Sequence, residues 1–186
     1  VLEYLDEFEP DALRYAIAAT LPEQTDSDLS DDDIVARVNG ELIATWGNLV
    51  NRTLSMTAKN FGQLPEPGEL DERDLALLAG VDAALVEAAE HVEAVRLRQG
   101  LQTVFLAAQE VNAYLNATEP WKTAKTDLPR TGTTLWTTLQ AIAGLLVGFA
   151  PYLPDTCAQL DQQLGGTGDL VGRGWARTEL ASGTPI

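Results

Sequence analysis

The sequence predicts an all-α protein, an antiparallel bundle of helices followed by an extended C-terminal tail. Three observations predict it. Apolar residues recur at three- and four-residue spacing along most of the 186 residues. Proline, glycine and capping residues divide that pattern into lengths suited to helices. No segment shows the strict alternation of a half-buried strand, so an α/β enzyme core is not expected. A helical part over residues 1–164 and a glycine-rich tail over 165–186 follow from where the periodicity ends.

The elements follow in order. Pro10 and Asp11 open a short helix through Tyr15 and Ile17 that ends near Pro22. A polar loop leads to Ser30, an N-cap followed by three aspartates. The next helix is long, with Val38, Leu42, Leu49, Thr53 and Met56 on one face, and closes at Phe61-Gly62. Leu70-Asp71 begins a third helix, with Leu75, Leu78, Leu85 and Ala89 as its stripe and a break near His91–Val95. A fourth carries Leu101, Val104, Phe105, Ala108, Val111 and Leu115. Pro120 starts a short turn as far as Lys125. Thr131-Gly132-Thr133 separates that turn from a fifth long run containing Leu135, Leu139, Ile142, Leu146 and Phe149. Pro151 and Pro154 end that run, and a last helix spans residues 156–164. Trp175 is the expected anchor of the tail.

Charge and residue counts exclude several kinds of chemistry. The formal net charge is -16, from 28 acids and 12 bases, which taken alone disfavours a nucleic-acid partner. The distribution is uneven. Residues 1–33 hold eleven acids and one base, Arg14, whereas residues 96–130 hold five bases (Arg96, Arg98, Lys122, Lys125, Arg130) against three acids. A neutral to weakly basic face on an acidic body is therefore expected. One histidine, His91, and one cysteine, Cys157, cannot build a Cys/His zinc site, and no disulfide can form within the chain. There is no nucleophile elbow and no phosphate-binding glycine loop before a lysine. Neither a catalytic residue nor a metal ligand is expected. The longest apolar run, residues 141–150, is too short to span a membrane, and no signal peptide opens the chain. A cytoplasmic protein is expected, cut from a longer one, since Val1 is not an initiator methionine.

Two clusters suggest binding. Asn48 and Arg52 are four apart and fall on the same flank of the apolar stripe centred on Leu49. An amide with a guanidinium can read a base edge or hold a phosphate, or can close a neighbouring helix junction. The second cluster runs from Asn112 to Lys125. Asn112 lies within an apolar stripe and needs a partner. Trp121 follows a helix-starting proline, where its indole is either a stacking platform flanked by Lys122 and Lys125 or a plug in the core.

At these clusters the sequence resembles the C-terminal anticodon-binding region of class I methionyl-tRNA synthetases, of the bacterial, actinobacterial-like kind. Four stretches carry the likeness: residues 11–15 (Asp-Ala-Leu-Arg-Tyr), 47–52 (Gly-Asn-Leu-Val-Asn-Arg), 112–125 with Pro120-Trp121-Lys122, and 151–154 (Pro-Tyr-Leu-Pro) with Gly174-Trp175-Ala176. The resemblance implies a class Ia anticodon-binding bundle. It implies that Asn48 and Arg52 hydrogen-bond to anticodon bases and that Trp121 stacks on one, with Asn112, Lys122 and Lys125 as supporting or phosphate contacts. The implied partners are a methionine-accepting tRNA and the enzyme's own catalytic domain. ATP, and zinc where it occurs, belong to that catalytic region and not to this stretch, which lacks both signature segments. The alternatives are the corresponding domain of another class I synthetase and a non-catalytic helical bundle that binds proteins.

Overall fold

A computed structural model describes residues 2–22 and 30–186, and among them the protein is helical, without a strand. The helices are α1 (Leu2–Glu7), α2 (Pro10–Thr20), α3 (Asp31–Arg37), α4 (Asn48–Asn60), α5 (Glu72–Glu93), α6 (Leu97–Thr118), α7 (Pro120–Thr123), α8 (Leu128–Phe149) and α9 (Pro154–Gln163). A π-helical segment, Val38–Gly47, joins α3 to α4. The polar loop expected between Pro22 and Ser30 lies outside the described residues.

Local chemistry explains the starts. Ser30 and Asp33 form a capping box on α3, and Asp71 and Asp74 form one on α5. Prolines occupy the first turns of α2, α7, α8 and α9. The turn between α5 and α6 places Val95 at a φ of 58°, where a left-handed residue stops the helix.

The expected break at Thr131-Gly132-Thr133 is not there. Asp127 caps α8 by accepting from the Arg130 amide at 3.0 Å, and the helix runs straight through all three residues. Gly132 is a point of close approach: a β-carbon there would lie 3.4 Å from the Phe61 ring. The long helix predicted around Asn48 is α-helical at both ends and π-helical in the middle, with hydrogen bonds reaching five residues back. The stripe on α5 also differs. Leu75 is 54% exposed and Ala89 half-buried, and the inward face is Asp74, Leu78, Val81, Leu85 and Ala88.

α8 is the centre of the molecule. Every residue from Thr131 to Phe149 is buried, with α5, α6 and α4 around it. It is long and apolar enough to cross a membrane by length and composition, yet its apolar window is wholly buried inside the bundle. Gly144 and Gly148, four apart, allow α5 and α6 to approach. A β-carbon at Gly148 would sit 2.8 and 2.9 Å from the two methyls of Val104, whose rotamer is stiff in a helix. Gly148→Ala is therefore expected to destabilise the fold by about 1–3 kcal/mol. That corresponds to a fall of roughly 2–12 °C in a thermal melt followed by circular dichroism. An unchanged melt would show that α6 shifts freely.

The tail folds back onto the bundle. Trp175 is partly buried against the core, but backbone and ionic ties hold the tail as well. Leu180 is buried, and its amide and carbonyl both bond to the Gln140 side chain at 2.8 Å. Arg173 pairs with Asp161, Arg177 pairs with Asp82, and Pro185 bridges to Gln63. Cys157 is buried on α9. Burial foremost, then the nearby Asp11 carboxylate, pushes its thiol well above the ordinary range, as suits a packed and unreactive cysteine.

Candidate functional site

α4, α6 and α7 meet at one open surface. On α4, Leu49 is buried, Asn48 is exposed and Arg52 is half-buried, so the flank predicted from helical geometry is the real one. Arg52 reaches across to the end of α6, where its Nη2 donates to Asn116 Oδ1 at 3.3 Å. Its guanidinium carbon also lies over the Trp121 ring, 5.2 Å from the centroid. Trp121 is 39% exposed, so the indole is not a core plug. The contact is within cation–π range, worth about 0.5–1 kcal/mol at an exposed position. It fixes the indole from one side and leaves ring surface open.

Asn48 Nδ2 donates to the Ala44 carbonyl at 3.2 Å, and among the described residues no hydrogen bond engages its amide oxygen. Asn112 finds the partners its position demands. Its Nδ2 donates to the Thr45 and Ala108 carbonyls, both at 3.2 Å. One side chain on α6 thus holds the last turn of the π segment, three residues before Asn48. Asn112 supports the site from below.

The turn carrying Trp121 is built from both sides. Glu119 adopts a left-handed backbone with φ 46°, which ends α6 and redirects the chain, and buried Pro120 opens α7. Thr123 Oγ1 and Thr131 Oγ1 are 2.7 Å apart, and the Asp127 amide donates to the Thr123 carbonyl at 2.7 Å. These contacts stitch α7 to the start of α8.

Beneath the turn lies an ionic network that the sequence reading missed. Asp74 on α5 is 0% exposed, and Arg130 on α8 grips it bidentately at 2.6 and 2.7 Å. Tyr114 on α6 donates its hydroxyl to the same carboxylate. Burial pushes the Asp74 carboxyl up, but the hydrogen bonds from Arg130 and Tyr114 together outweigh it and hold the group below the usual carboxylate range. Burial and that carboxylate raise the Tyr114 hydroxyl, which therefore stays a donor. The available signal was the Asp71–Asp74 spacing of a capping box, which reads as surface chemistry.

The five bases of residues 96–130 do not share a face. Arg130 is engaged by Asp74 and also by Asp71 at 3.3 Å, and Lys122 pairs with Glu119 at 2.6 Å. Arg96 and Arg98 sit at the start of α6, about 30 Å along the helix from Trp121. Lys125 is exposed and makes no ion pair with a described residue, so it is the open cation nearest the indole in sequence. Among the described residues no group of three His, Cys, Asp or Glu side chains is placed to hold a metal ion.

This geometry can be set beside known proteins. A family model described as the anticodon binding domain of methionyl tRNA ligase matches residues 64–181, and one described as tRNA synthetases class I (M) matches residues 1–54. The chain belongs to the methionyl-tRNA ligase anticodon-binding family. Asn48 and Arg52 fall in the first stretch, and Asn112, Trp121, Lys122 and Lys125 in the second. The chain is 44% identical over 170 residues to the methionine–tRNA ligase of Corynebacterium glutamicum, covering 90% of this chain and 28% of that protein. It is 45% identical over 171 residues to that of Beutenbergia cavernae, covering 92% of this chain and 28% of the relative. The chain thus spans under a third of the length of these relatives. Its fold matches Mycobacterium tuberculosis methionyl-tRNA synthetase over 100% of its length. The TM-score is 0.89 for the apo form (29% identity, 38% of that chain) and 0.91 for the complex with methionyl-adenylate (30% identity, 37% of that chain).

Proposed function

We propose that this anticodon-binding domain reads the anticodon loop of a methionine-accepting tRNA, as the recognition part of an ATP-dependent methionine–tRNA ligase. The observation that carries the reading is the Arg52 guanidinium over a solvent-open Trp121 ring, with exposed Asn48 one turn earlier on the same helix flank. Unstacked bases of a single-stranded loop are captured by aromatic stacking and by hydrogen bonds to their edges. Trp121 supplies the stacking face. Arg52 and Asn48 supply donors and an acceptor beside it. Lys125 supplies charge for a phosphate, while Lys122 first has to leave Glu119. The acidic body disfavours sequence-blind binding, so affinity depends on this small constellation.

Methionine activation and transfer to tRNA are assigned to the rest of the ligase, with ATP, and zinc where present, held there. The protein works in the cytoplasm.

Arg52→Gln tests the reading. The variant keeps an amide but loses the charged fork, and a hydrogen bond to a charged group is worth about 1.5–3 kcal/mol. Discrimination between the cognate anticodon and single-base variants, measured by competition with stem-loops, is expected to fall by about tenfold or more. Unchanged discrimination would remove Arg52 from base reading.

A further inference from the structure

The two charged residues of the Asp11-Ala12-Leu13-Arg14 motif act at the end of the bundle opposite Trp121. Asp11 is 8% exposed, and its carboxylate faces the start of α9. Oδ2 accepts from the Thr156 amide at 2.7 Å, and Oδ1 takes a longer contact from the Asp155 amide at 3.4 Å. The residue at the N-cap position of α9, Leu153, has no side chain able to cap. Asp11, 144 residues before Asp155, fills that role. Arg14 Nε donates to the Pro151 carbonyl at 2.7 Å, just past the end of α8. α2 is thereby fixed to the corner between α8 and α9.

The other end of α8 carries Asp127, Arg130 and Thr131, the residues that hold the Trp121 turn and its base. Between the two ends α8 is 22 residues long, about 33 Å, and buried almost throughout. It is a strut with α2 clamped at one end and the Trp121 turn at the other.

We propose that Asp11 and Arg14 are positioning residues that fix the angle at which the chain preceding α2 leaves the bundle. They thereby set where the synthetase body stands relative to a tRNA whose anticodon loop lies on Trp121. The inference rests on the anticodon-reading function above. It accounts for two ionic side chains directed at backbone groups more than 130 residues away, both within the residues 1–54 that match the class I synthetase model. A cap that only stabilised α9 would lower the melting temperature without separating the steps of catalysis.

The test uses the full-length ligase. Asp11→Ala is expected to lower kcat for aminoacylation by about 10- to 100-fold, because a small misplacement far from the chemistry is felt at the reacting end. The KM for tRNA and methionine-dependent pyrophosphate exchange stay unchanged, since the anticodon contacts and the activation site are untouched. Asp11→Asn keeps an oxygen for the Thr156 amide and restores most of the rate. If the alanine variant does not fold, Arg14→Ala, which removes one hydrogen bond, gives the same split. Folded Asp11→Ala and Arg14→Ala enzymes that charge at the wild-type kcat overturn the inference, as does a parallel loss of pyrophosphate exchange. An anticodon stem-loop inhibits the wild type and Asp11→Ala equally if the inference holds. Failure to inhibit even the wild type overturns the anticodon reading itself, and the positioning role with it.

Discussion

Trp121→Ala in the full-length ligase is expected to weaken tRNA use by roughly 5- to 150-fold, the range that corresponds to the 1–3 kcal/mol a stacked base contributes. The loss should fall on the KM for tRNA or on stem-loop affinity, and adenylate formation should be untouched. Stability should change little, because the indole is 39% exposed and no buried partner depends on it. Arg52 loses its ring contact but keeps Asn116, so it remains near its present place. Trp121→Phe, which preserves an aromatic face, should recover a large part of the affinity. Equal losses in adenylate formation and tRNA charging would show that the indole is not a recognition element. An unchanged KM would show that no base stacks on it.

Much of this arrangement was legible because its causes are local. Prolines and capping boxes at Pro10, Ser30, Asp71 and Pro154 mark helix starts by chemistry acting within one turn. Asn48 and Arg52 share a flank because four residues make about one turn, whatever lies opposite. What was missed depends on docking. Gly132 reads as a break, but its missing side chain makes room for Phe61. Leu75 reads as core, but the inward position one residue earlier is taken by a carboxylate, which a pattern of apolar residues cannot register. Arg130 counts as a surface base until Asp74, 56 residues away, is brought beneath it. The meeting of Arg52 with Trp121 likewise exists only once α4 packs on α6 and α7. The π segment has no signal of its own in the periodicity. Its last turn is held by Asn112, an amide whose need for a partner was plain while the partner's identity was not.

Arg130→Met is expected to destabilise the domain by about 3–5 kcal/mol, the usual cost of leaving one member of a buried ion pair behind. For a domain of this size that is a fall of roughly 6–20 °C in the thermal midpoint. The cost arises at Asp74, which is 0% exposed and would keep only the Tyr114 hydroxyl and the Asp71 amide. Arg130 is itself 27% exposed, so Asp74→Leu, which strands the arginine instead, should cost less because water can reach the guanidinium. The double change Asp74→Leu with Arg130→Met should recover part of the loss, since an apolar pair needs no compensation. Acid should reproduce the effect in the unaltered protein. The Asp74 carboxyl is depressed in the folded state, so its contribution is fully present above the unfolded carboxylate value of about 3.9 and is lost as pH falls through the lower folded value. Denaturant titrations should therefore show the wild type losing stability below about pH 4, with the double variant losing less over the same range. Equal acid sensitivity in both would mean that other carboxylates govern that limb. The network spans α5, α6 and α8, and its Arg130 adjoins Thr131, which bonds to Thr123 on α7, so acid that protonates Asp74 is expected to loosen the footing of the turn that carries Trp121.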